Sequence, residues 1–217
     1  MQAVCFDFDG TLVDSEVFHA ENWCDYLQSL GADFSATTFL RDYAGVPWVK
    51  VAKALYGHFS LSVNPDVMVT EMERLTHQAI IEKGIPPKLG AEEILKRLHG
   101  TLPLVIVTGA PRGYVEGILG LHGWLDYFDH IFCGEDVPAN KPAPDIYQLA
   151  CRTLGVQSHQ AVAIEDSLTG AHSATSAGLR LVVVNDTHPI GDQLTPYCYQ
   201  TLIDAQIGQN QWLIASG

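Results

Sequence analysis

Four short segments of this sequence are apolar at every position. Together they are rich in valine and isoleucine and lack alternation with polar residues: Ala3–Phe6, Leu104–Val107, Ala161–Ile164 and Leu181–Val184. Unbroken apolar runs of this length are typical of strands that are buried on both faces of a parallel sheet. A shorter run at Ile131–Cys133 is a weaker strand candidate.

Apolar residues with helical spacing occupy the intervals between these runs. Three sets each predict one buried helix face: Ile94, Leu95 and Leu98; Val115, Ile118 and Leu119; and Ile146, Leu149, Ala150 and Leu154. Gly178 is placed to end a further helix just before the last apolar run. Because strands alternate with helices, the pattern predicts an α/β fold with right-handed crossovers.

The interval between the first and second apolar runs breaks this alternation, since it contains no convincing strand. Its apolar spacing instead predicts four helices, at 16–30, 36–43, 48–57 and 66–82. Gly84 and the Pro86-Pro87 pair that follows are suited to a hinge where the chain leaves this segment. We therefore expect an all-helical insert at 15–87 within a core formed by 1–14 and 88–217.

Composition narrows the class of protein. The chain has 217 residues, of which 47 % are apolar, so one domain with a modest insert can bury a sizeable core. The formal charge of −13 disfavours nucleic-acid binding, and no run reaches the roughly 18 apolar residues of a membrane span. With no secretory signal at the N-terminus, we expect a cytoplasmic monomer that binds neither nucleic acid nor membrane.

The five cysteines are odd in number and include no CxxC pair, which favours reduced thiols. Cys5 lies close to Asp7 in the sequence, where a catalytic thiol is conceivable. Because it sits inside an apolar run, however, it is expected to behave as a small hydrophobic residue.

Two aspartates directly follow the first apolar run, in the segment Asp7-Phe8-Asp9-Gly10-Thr11. Alternation along a strand places Asp7 and Asp9 on the same side, about 6.6–6.8 Å apart. Two carboxylates this close repel each other unless a cation or a proton intervenes. Gly10 permits a turn that a side chain would forbid. Taken alone, the segment is as consistent with an acidic turn after a strand as with a functional pair of carboxylates.

Three later segments place further chemical groups near strand ends. Thr108 and Gly109 follow the second run, where a hydroxyl and free backbone N–H groups at a helix start can bind an anion. Glu165 and Asp166 follow the third run, as a carboxylate pair or as caps of the next helix. Lys141 lies between Asn140 and the prolines of a stiff loop, unless it is simply a surface lysine.

Together these segments predict one site, because ligands of open α/β sheets bind at the carboxyl ends of the strands. Carboxylate oxygens are ligands that suit Mg²⁺. A metal ion and a lysine would neutralise the acidic cluster and bind a phosphoryl group.

The four segments resemble the four motifs of the haloacid dehalogenase superfamily of phosphohydrolases, in order and in approximate spacing. Asp7–Thr11 matches the DxDGT motif, and Thr108, Lys141 and Glu165-Asp166 match the second, third and fourth motifs. The resemblance covers nearly the whole chain and is nearest to the β-phosphoglucomutase-like branch of subfamily IA. It implies a Rossmann-like three-layer core with a parallel sheet and an inserted helical cap of the C1 type.

The resemblance also implies roles for these residues. Asp7 attacks phosphorus to form an aspartyl-phosphate, while Asp9 protonates the leaving alcohol and later accepts a proton from water. Mg²⁺ is implied as cofactor, with ligands from Asp7, the main-chain carbonyl of Asp9, and Asp166. Glu165 is either a further ligand or lies behind the ligands.

Three groups are implied to hold the phosphoryl oxygens: Thr108, the N–H of Gly109, and Lys141. In the cap, His19 and Trp48 are implied substrate contacts, with Trp48 in a loop Gly45-Val46-Pro47-Trp48 that resembles the substrate-facing cap loop. Both side chains are equally consistent with packing inside the cap. We expect the cap to close over the substrate.

The function predicted is therefore a Mg²⁺-dependent phosphatase of small phosphorylated metabolites, with the individual ester left open. A sugar phosphomutase is the nearest alternative, but Trp48 stands where a second phosphate would call for arginine, and Lys50 is displaced from that position. A dehalogenase has no need of the acid that Asp9 supplies. A non-catalytic protein that binds phosphorylated metabolites on the same fold is the alternative from another class.

Overall fold

The computed structural model describes residues 1–43, 46, 48–185 and 194–207. The chain divides into two compact units, Met1–Val13 with Pro87–Gly217, and Asp14–Pro86. The two units differ in architecture, since one is built on a sheet and the other on helices.

The second unit, Asp14–Pro86, contains four helices in the part that the structure describes. They are α1 (Ser15–Ser29), α2 (Ala36–Tyr43), α3 (Trp48–Phe59) and α4 (Pro65–Lys83). All four helices predicted for this segment are confirmed, with ends that shift by at most two residues. The ends of α4 are close to the predicted ones because residues that favour helix ends mark them in the sequence. Asn64 accepts a hydrogen bond from the Asp66 amide at the start, and Gly84 follows the last turn.

The core of the helical unit is aromatic and aliphatic. Trp23 stacks on Phe39 with ring centroids 6.1 Å apart. Leu55, Met68 and Met72 are fully buried beside them. Burial of each such side chain contributes about 1.5–3 kcal/mol, so these contacts are a main source of the unit's stability.

The first unit is built on a sheet of six strands among the described residues, all parallel. The strands are β1 (Ala3–Phe6), β2 (Leu104–Val107), β3 (His130–Phe132), β4 (Ala161–Glu165), β5 (Arg180–Val184) and β6 (Cys198–Tyr199). Their order is β3-β2-β1-β4-β5-β6, which puts β1 between β2 and β4. The predicted α/β fold with a parallel Rossmann-like sheet is confirmed.

The observed β4 extends one residue beyond the predicted run, to Glu165, and β5 begins one residue earlier, at Arg180. Two further details of the sheet differ from the prediction. The weak candidate at Ile131–Cys133 lies one residue earlier, at His130–Phe132. The strand Cys198–Tyr199 was not predicted, because two half-buried residues are too short to produce an apolar run.

Within the described residues of this unit, five α-helices accompany the sheet: α5 (Ala91–Leu98), α6 (Arg112–His122), α7 (Asp145–Leu154), α8 (Leu168–Ser176) and α9 (Leu202–Ile207). The predicted apolar faces of α5, α6 and α7 are confirmed, and α9 was not predicted. Gly178 follows α8 with φ of +83°, a backbone conformation that favours glycine. Within the described part of the chain, no helix combines the length and apolar character needed to cross a bilayer.

Candidate active site

The strand order brings the predicted site residues to one edge of the sheet. Phe6, the last residue of β1, is in register with Ile106 of β2 and Ile164 of β4. The residues that follow these positions therefore emerge side by side at the carboxyl edge. Asp7 comes from β1, Thr108 from β2, and Glu165 from β4.

Lys141 joins two of these strand ends through its ammonium group. Nζ donates hydrogen bonds to Oδ1 of Asp7 and Oε1 of Glu165, both at 2.6 Å, and to the carbonyl oxygen of Val107 at 2.8 Å. The Lys141 side chain is only 8 % exposed. It is therefore a buried lysine with three acceptors, and the interpretation as a solvated surface lysine is wrong.

Burial and charge act against each other at Lys141. Burial alone disfavours the ammonium ion, but the adjacent carboxylates of Asp7 and Glu165 outweigh it and raise the pKa of Lys141 above its ordinary value. The lysine is therefore charged across the physiological pH range. The ammonium lies 2.6 Å from Asp7, so it places a positive charge directly beside the carboxylate that is the candidate nucleophile.

Three carboxylates gather beside this lysine. Oxygen atoms of Asp7, Glu165 and Asp166 all lie within 4.8 Å of one another. Burial, together with the charges of its neighbours, raises the pKa of Asp166 well above its ordinary value, and the pKa of Glu165 is also raised by burial and by Asp7. One ammonium does not balance three carboxylates, so the cluster is suited to bind a further cation.

The chemistry of this donor set fits a hard divalent cation. Carboxylate oxygens are the ligands that Mg²⁺ and Ca²⁺ prefer. Gly10 has φ of +79°, and a Cβ atom there would overlap the Asp166 carboxylate. The turn after Asp9 must therefore be glycine for Asp166 to stand next to Asp7.

Glu165 is held from several directions. Its Oε1 accepts from the Tyr147 hydroxyl at 2.6 Å as well as from Lys141, and the Ser167 hydroxyl lies 3.5 Å from Oε2. A Cβ atom at Gly170 of α8 would overlap the same carboxylate. The alternative that Glu165 or Asp166 caps α8 is wrong, because Ser167 is the cap and accepts from the Gly170 amide.

Asp9 has a hydrogen-bond partner on α6. Its Oδ1 accepts a hydrogen bond from the Tyr114 hydroxyl of α6 at 2.8 Å. Among the described residues, its carboxylate is not part of the Asp7, Glu165 and Asp166 group. The two aspartates of the first motif therefore have separate surroundings, as expected for separate roles.

The loop after β2 is joined to the Lys141 loop by Asn140. The Asn140 side chain donates to the carbonyl oxygen of Gly109 at 3.3 Å and accepts from the Lys141 amide at 2.8 Å. Thr108 is 2 % exposed, and its hydroxyl oxygen accepts from the Ala110 amide at 3.1 Å. This local hydrogen bond leaves the hydroxyl hydrogen directed elsewhere, which allows Thr108 to donate to an anion.

The predicted substrate contacts of the cap lie in the helical unit. The rings of His19 and Trp48 meet edge to face, 5.3 Å between centroids, and burial lowers the pKa of His19 to about 4. Nδ1 of His19 has no hydrogen-bond partner in the described part of the chain. In the proposed cap loop, Gly45 and Pro47 lie outside the described residues.

Cys5 is buried within β1, and burial raises the pKa of its thiol. A thiol with a raised pKa is a poor nucleophile, because the thiolate is the reactive form. The expectation that Cys5 is buried as a small hydrophobic residue is confirmed.

Sequence reasoning missed three residues that hold the site together: Tyr114, Asn140 and Tyr147. Asn140 directly precedes Lys141 in the sequence, and this position could have indicated that Asn140 belongs to the site. The two tyrosines lie in α6 and α7, where the sequence pattern predicts only that they pack against the core. Nothing in the sequence indicates which acceptor each hydroxyl reaches.

Comparison with known proteins agrees with this geometry. The family described as haloacid dehalogenase-like hydrolase matches residues 1–178, and the chain belongs to this family. The superfamily predicted from the four motifs is therefore confirmed.

Named relatives and a solved structure extend the comparison. The fructose-1-phosphate phosphatase YqaB of Escherichia coli (strain K12) is 28 % identical over 179 residues, covering 82 % of this chain and 94 % of that protein. The validoxylamine A 7'-phosphate phosphatase of Streptomyces hygroscopicus subsp. limoneus is 31 % identical over 185 residues, covering 84 % and 85 %. A crystal structure of a HAD family hydrolase from Deinococcus radiodurans R1, with bound phosphate and sodium, has a TM-score of 0.82 at 28 % identity and covers 100 % of this chain and 99 % of that one. The predicted class, a phosphoric monoester hydrolase, is confirmed.

Proposed function

We propose that this chain is a Mg²⁺-dependent phosphatase that hydrolyses small phosphate monoesters, such as sugar phosphates, through an aspartyl-phosphate. The observation that carries the proposal is the setting of Asp7, whose carboxylate contacts the buried Lys141 ammonium at 2.6 Å and stands within the acidic cluster. Relatives that are named phosphatases of fructose 1-phosphate and of validoxylamine A 7'-phosphate support the choice of substrate class.

In the first step, a carboxylate oxygen of Asp7 forms a bond to phosphorus. The ester P–O bond breaks, its electron pair remains on the leaving oxygen, and that oxygen takes a proton from Asp9. In the second step, the oxygen of a water molecule forms a bond to phosphorus and its proton goes to the Asp9 carboxylate. The bond between phosphorus and the Asp7 oxygen breaks, and its electron pair returns to Asp7. Inorganic phosphate leaves, and both aspartates return to their starting forms.

The residues around Asp7 bind and orient the phosphoryl group. The Lys141 ammonium, the Thr108 hydroxyl and the Gly109 N–H are the proposed donors to its oxygens. Lys141 reaches this position because Asn140 fixes its loop and Glu165 accepts from the same nitrogen.

Asp7, Asp166 and the main-chain carbonyl of Asp9 are the proposed ligands of Mg²⁺, which supplies positive charge against the developing charge on the phosphoryl oxygens. Glu165 has Oε1 engaged by both Lys141 and Tyr147. We therefore assign Glu165 to holding Lys141 rather than to binding the metal directly.

The helical unit is proposed to act as the cap domain that selects the leaving group, with His19 and Trp48 among its substrate contacts. Support comes from the contact between the two rings and from the unpartnered Nδ1 of His19 among the described residues. His19→Ala should change the ranking of substrates more than it changes the rate with p-nitrophenyl phosphate, because that ester carries no hydroxyl groups to select. An unchanged ranking would count against this role.

A cytoplasmic monomer is the proposed setting of this activity. The five cysteines all lie in the described part of the chain and form no disulfide there, which suits a reducing compartment. Sedimentation of the purified protein at a mass near 23.7 kDa would support the monomer, and twice that mass would contradict it.

The test is phosphate release across a panel of hexose, pentose and triose phosphates, with and without Mg²⁺. We expect turnover that a chelator abolishes and Mg²⁺ restores. Asp7→Asn should lose at least about 10³-fold in kcat, since the covalent step is lost. Asp126→Asn, an exposed aspartate in a 3-10 turn far from Asp7 in sequence, is the control and should retain activity. Full activity in Asp7→Asn would refute the mechanism, and isomerised sugar phosphate in place of free phosphate would indicate a mutase.

A further inference from the structure

Tyr114 and Asp9 form a pair that joins two separate segments of the site. The Tyr114 hydroxyl donates to Oδ1 of Asp9 at 2.8 Å, although the two residues are 105 positions apart in the sequence. Tyr114 lies in the first turn of α6, which begins just beyond the loop that carries Thr108. The contact therefore links the second motif segment to the first.

The tyrosine ring has little freedom in this position. It packs edge to face against Phe8, with ring centroids 6.1 Å apart and planes at 88°. Phe8 is fully buried and lies between the two aspartates in the sequence. The same short segment thus supplies both the carboxylate that accepts from Tyr114 and the ring that fixes the direction of its hydroxyl.

The phenol is also a durable donor. A phenol has an ordinary pKa of about 10, so the Tyr114 hydroxyl is a hydrogen-bond donor at neutral pH. A carboxyl group accepts such a hydrogen bond whether it is ionised or protonated, through the oxygen that does not carry the proton. Tyr114 can therefore hold Asp9 in one orientation through both halves of a proton-transfer cycle.

We propose that Tyr114 is a positioning residue that orients Asp9 for proton transfer to the leaving oxygen. The inference rests on the proposed function, in which Asp9 gives its proton to the leaving oxygen as the ester P–O bond breaks. Tyr114 itself exchanges no proton and touches no reacting atom. It acts by keeping the Asp9 carboxyl from rotating away from the line of transfer.

The orientation of an acid matters only when the leaving group needs a proton. p-Nitrophenolate leaves as a stable anion, whereas benzyl alkoxide is strongly basic and must be protonated as it leaves. p-Nitrophenyl phosphate and benzyl phosphate are similar in size and shape, so they separate this effect from binding. The constant kcat/KM reports the steps up to release of the alcohol and excludes the later hydrolysis of the aspartyl-phosphate.

The experiment measures kcat/KM for both esters with wild type, Tyr114→Phe and the control Tyr127→Phe, with Mg²⁺ present. We expect Tyr114→Phe to lose about tenfold or more with benzyl phosphate, as for a misaligned general acid. With p-nitrophenyl phosphate it should stay within about twofold of wild type. Tyr127→Phe removes a hydroxyl from a 3-10 turn of the same unit and should match wild type with both esters.

Three results would overturn the inference. Equal loss with both esters would indicate a general structural role, and no loss with either would show that Asp9 is oriented without Tyr114. A lowered thermal unfolding midpoint that accounts for the lost activity would also assign the effect to folding. If wild type releases phosphate from neither ester nor any panel compound, the proposed function itself fails, and the inference falls with it.

Discussion

Replacement of Lys141 by methionine is the most direct test of how the site is held together. The change removes the ammonium and keeps a flexible apolar side chain. In the wild type this ammonium lies 2.6 Å from both Asp7 and Glu165, and donates to the Val107 carbonyl as well. Asp7 is 9 % exposed and Glu165 is fully buried, so the variant leaves two buried carboxylates without their counter-charge.

The expected loss is large. Removal of one partner from a buried ion pair costs about 3–5 kcal/mol, because the remaining charge stays desolvated. A domain of ordinary stability has only about 5–15 kcal/mol in total. We therefore expect Lys141→Met to remain folded near neutral pH but to unfold at a clearly lower urea concentration than wild type.

The sign of the pH dependence follows from Glu165. Its pKa in the folded protein is raised above the ordinary value, and loss of Lys141 removes an interaction that opposes the rise. A carboxyl group with a higher pKa in the folded state binds more protons when folded, so its contribution to stability improves as pH falls. The difference in the free energy of unfolding between wild type and Lys141→Met should therefore be greatest at about pH 8 and should become smaller toward about pH 5.5.

The assay is urea unfolding of both proteins at the two pH values, with a chelator present so that no metal ion replaces the lost charge. Lys96→Met is the matched control: Lys96 pairs with Glu92 on the surface of α5, with side chains 58 % and 52 % exposed. An exposed ion pair contributes little to the free energy of unfolding, so Lys96→Met should have the same urea midpoint as wild type at both pH values. Equal unfolding midpoints for Lys141→Met and wild type at the higher pH, or a deficit that grows in acid, would refute the reasoning.

Three further changes test individual contacts. Gly170→Ala should lower both the urea midpoint and the rate of phosphate release, because its Cβ would displace the Glu165 carboxylate that holds Lys141. Gly117→Ala, in α6 with open space around its Cβ, should instead stabilise by about 0.5–1 kcal/mol; the same sign for both would contradict this account. Tyr147→Phe should cost about 1–3 kcal/mol in urea unfolding, since Glu165 loses one of its donors. Asp166→Asn should weaken Mg²⁺ binding in calorimetric titration by at least about tenfold, and undiminished binding would exclude Asp166 as a ligand.

Much of the fold could be predicted because strands and helices leave local periodic patterns. Ala3–Phe6 and Leu104–Val107 match β1 and β2 at both ends, since every position in them is buried. The strand Cys198–Tyr199 could not be predicted, because half-buried residues at a sheet edge carry no pattern of their own.

The candidate site could be predicted in part for a related reason. Asp7 and Glu165 belong to it because each lies at the carboxyl end of a buried strand, and parallel strands bring those ends to one edge. The sequence left open whether Lys141 was buried or solvated. Only the folded chain places its ammonium 2.6 Å from two carboxylates, since that distance depends on the path of a loop between β3 and α7.

The amino-acid sequence was sufficient to predict the alternation of strands and helices, the four-helix segment, and the reactive side chains at the strand ends. Each of these depends on residues that are neighbours along the chain. Tertiary structure alone decided the partners: Tyr114 for Asp9, Tyr147 for Glu165, and glycine at 170 because a carboxylate fills the space of its Cβ. Such pairings depend on the rotation of a helix and the course of a loop, which many distant packing contacts set together.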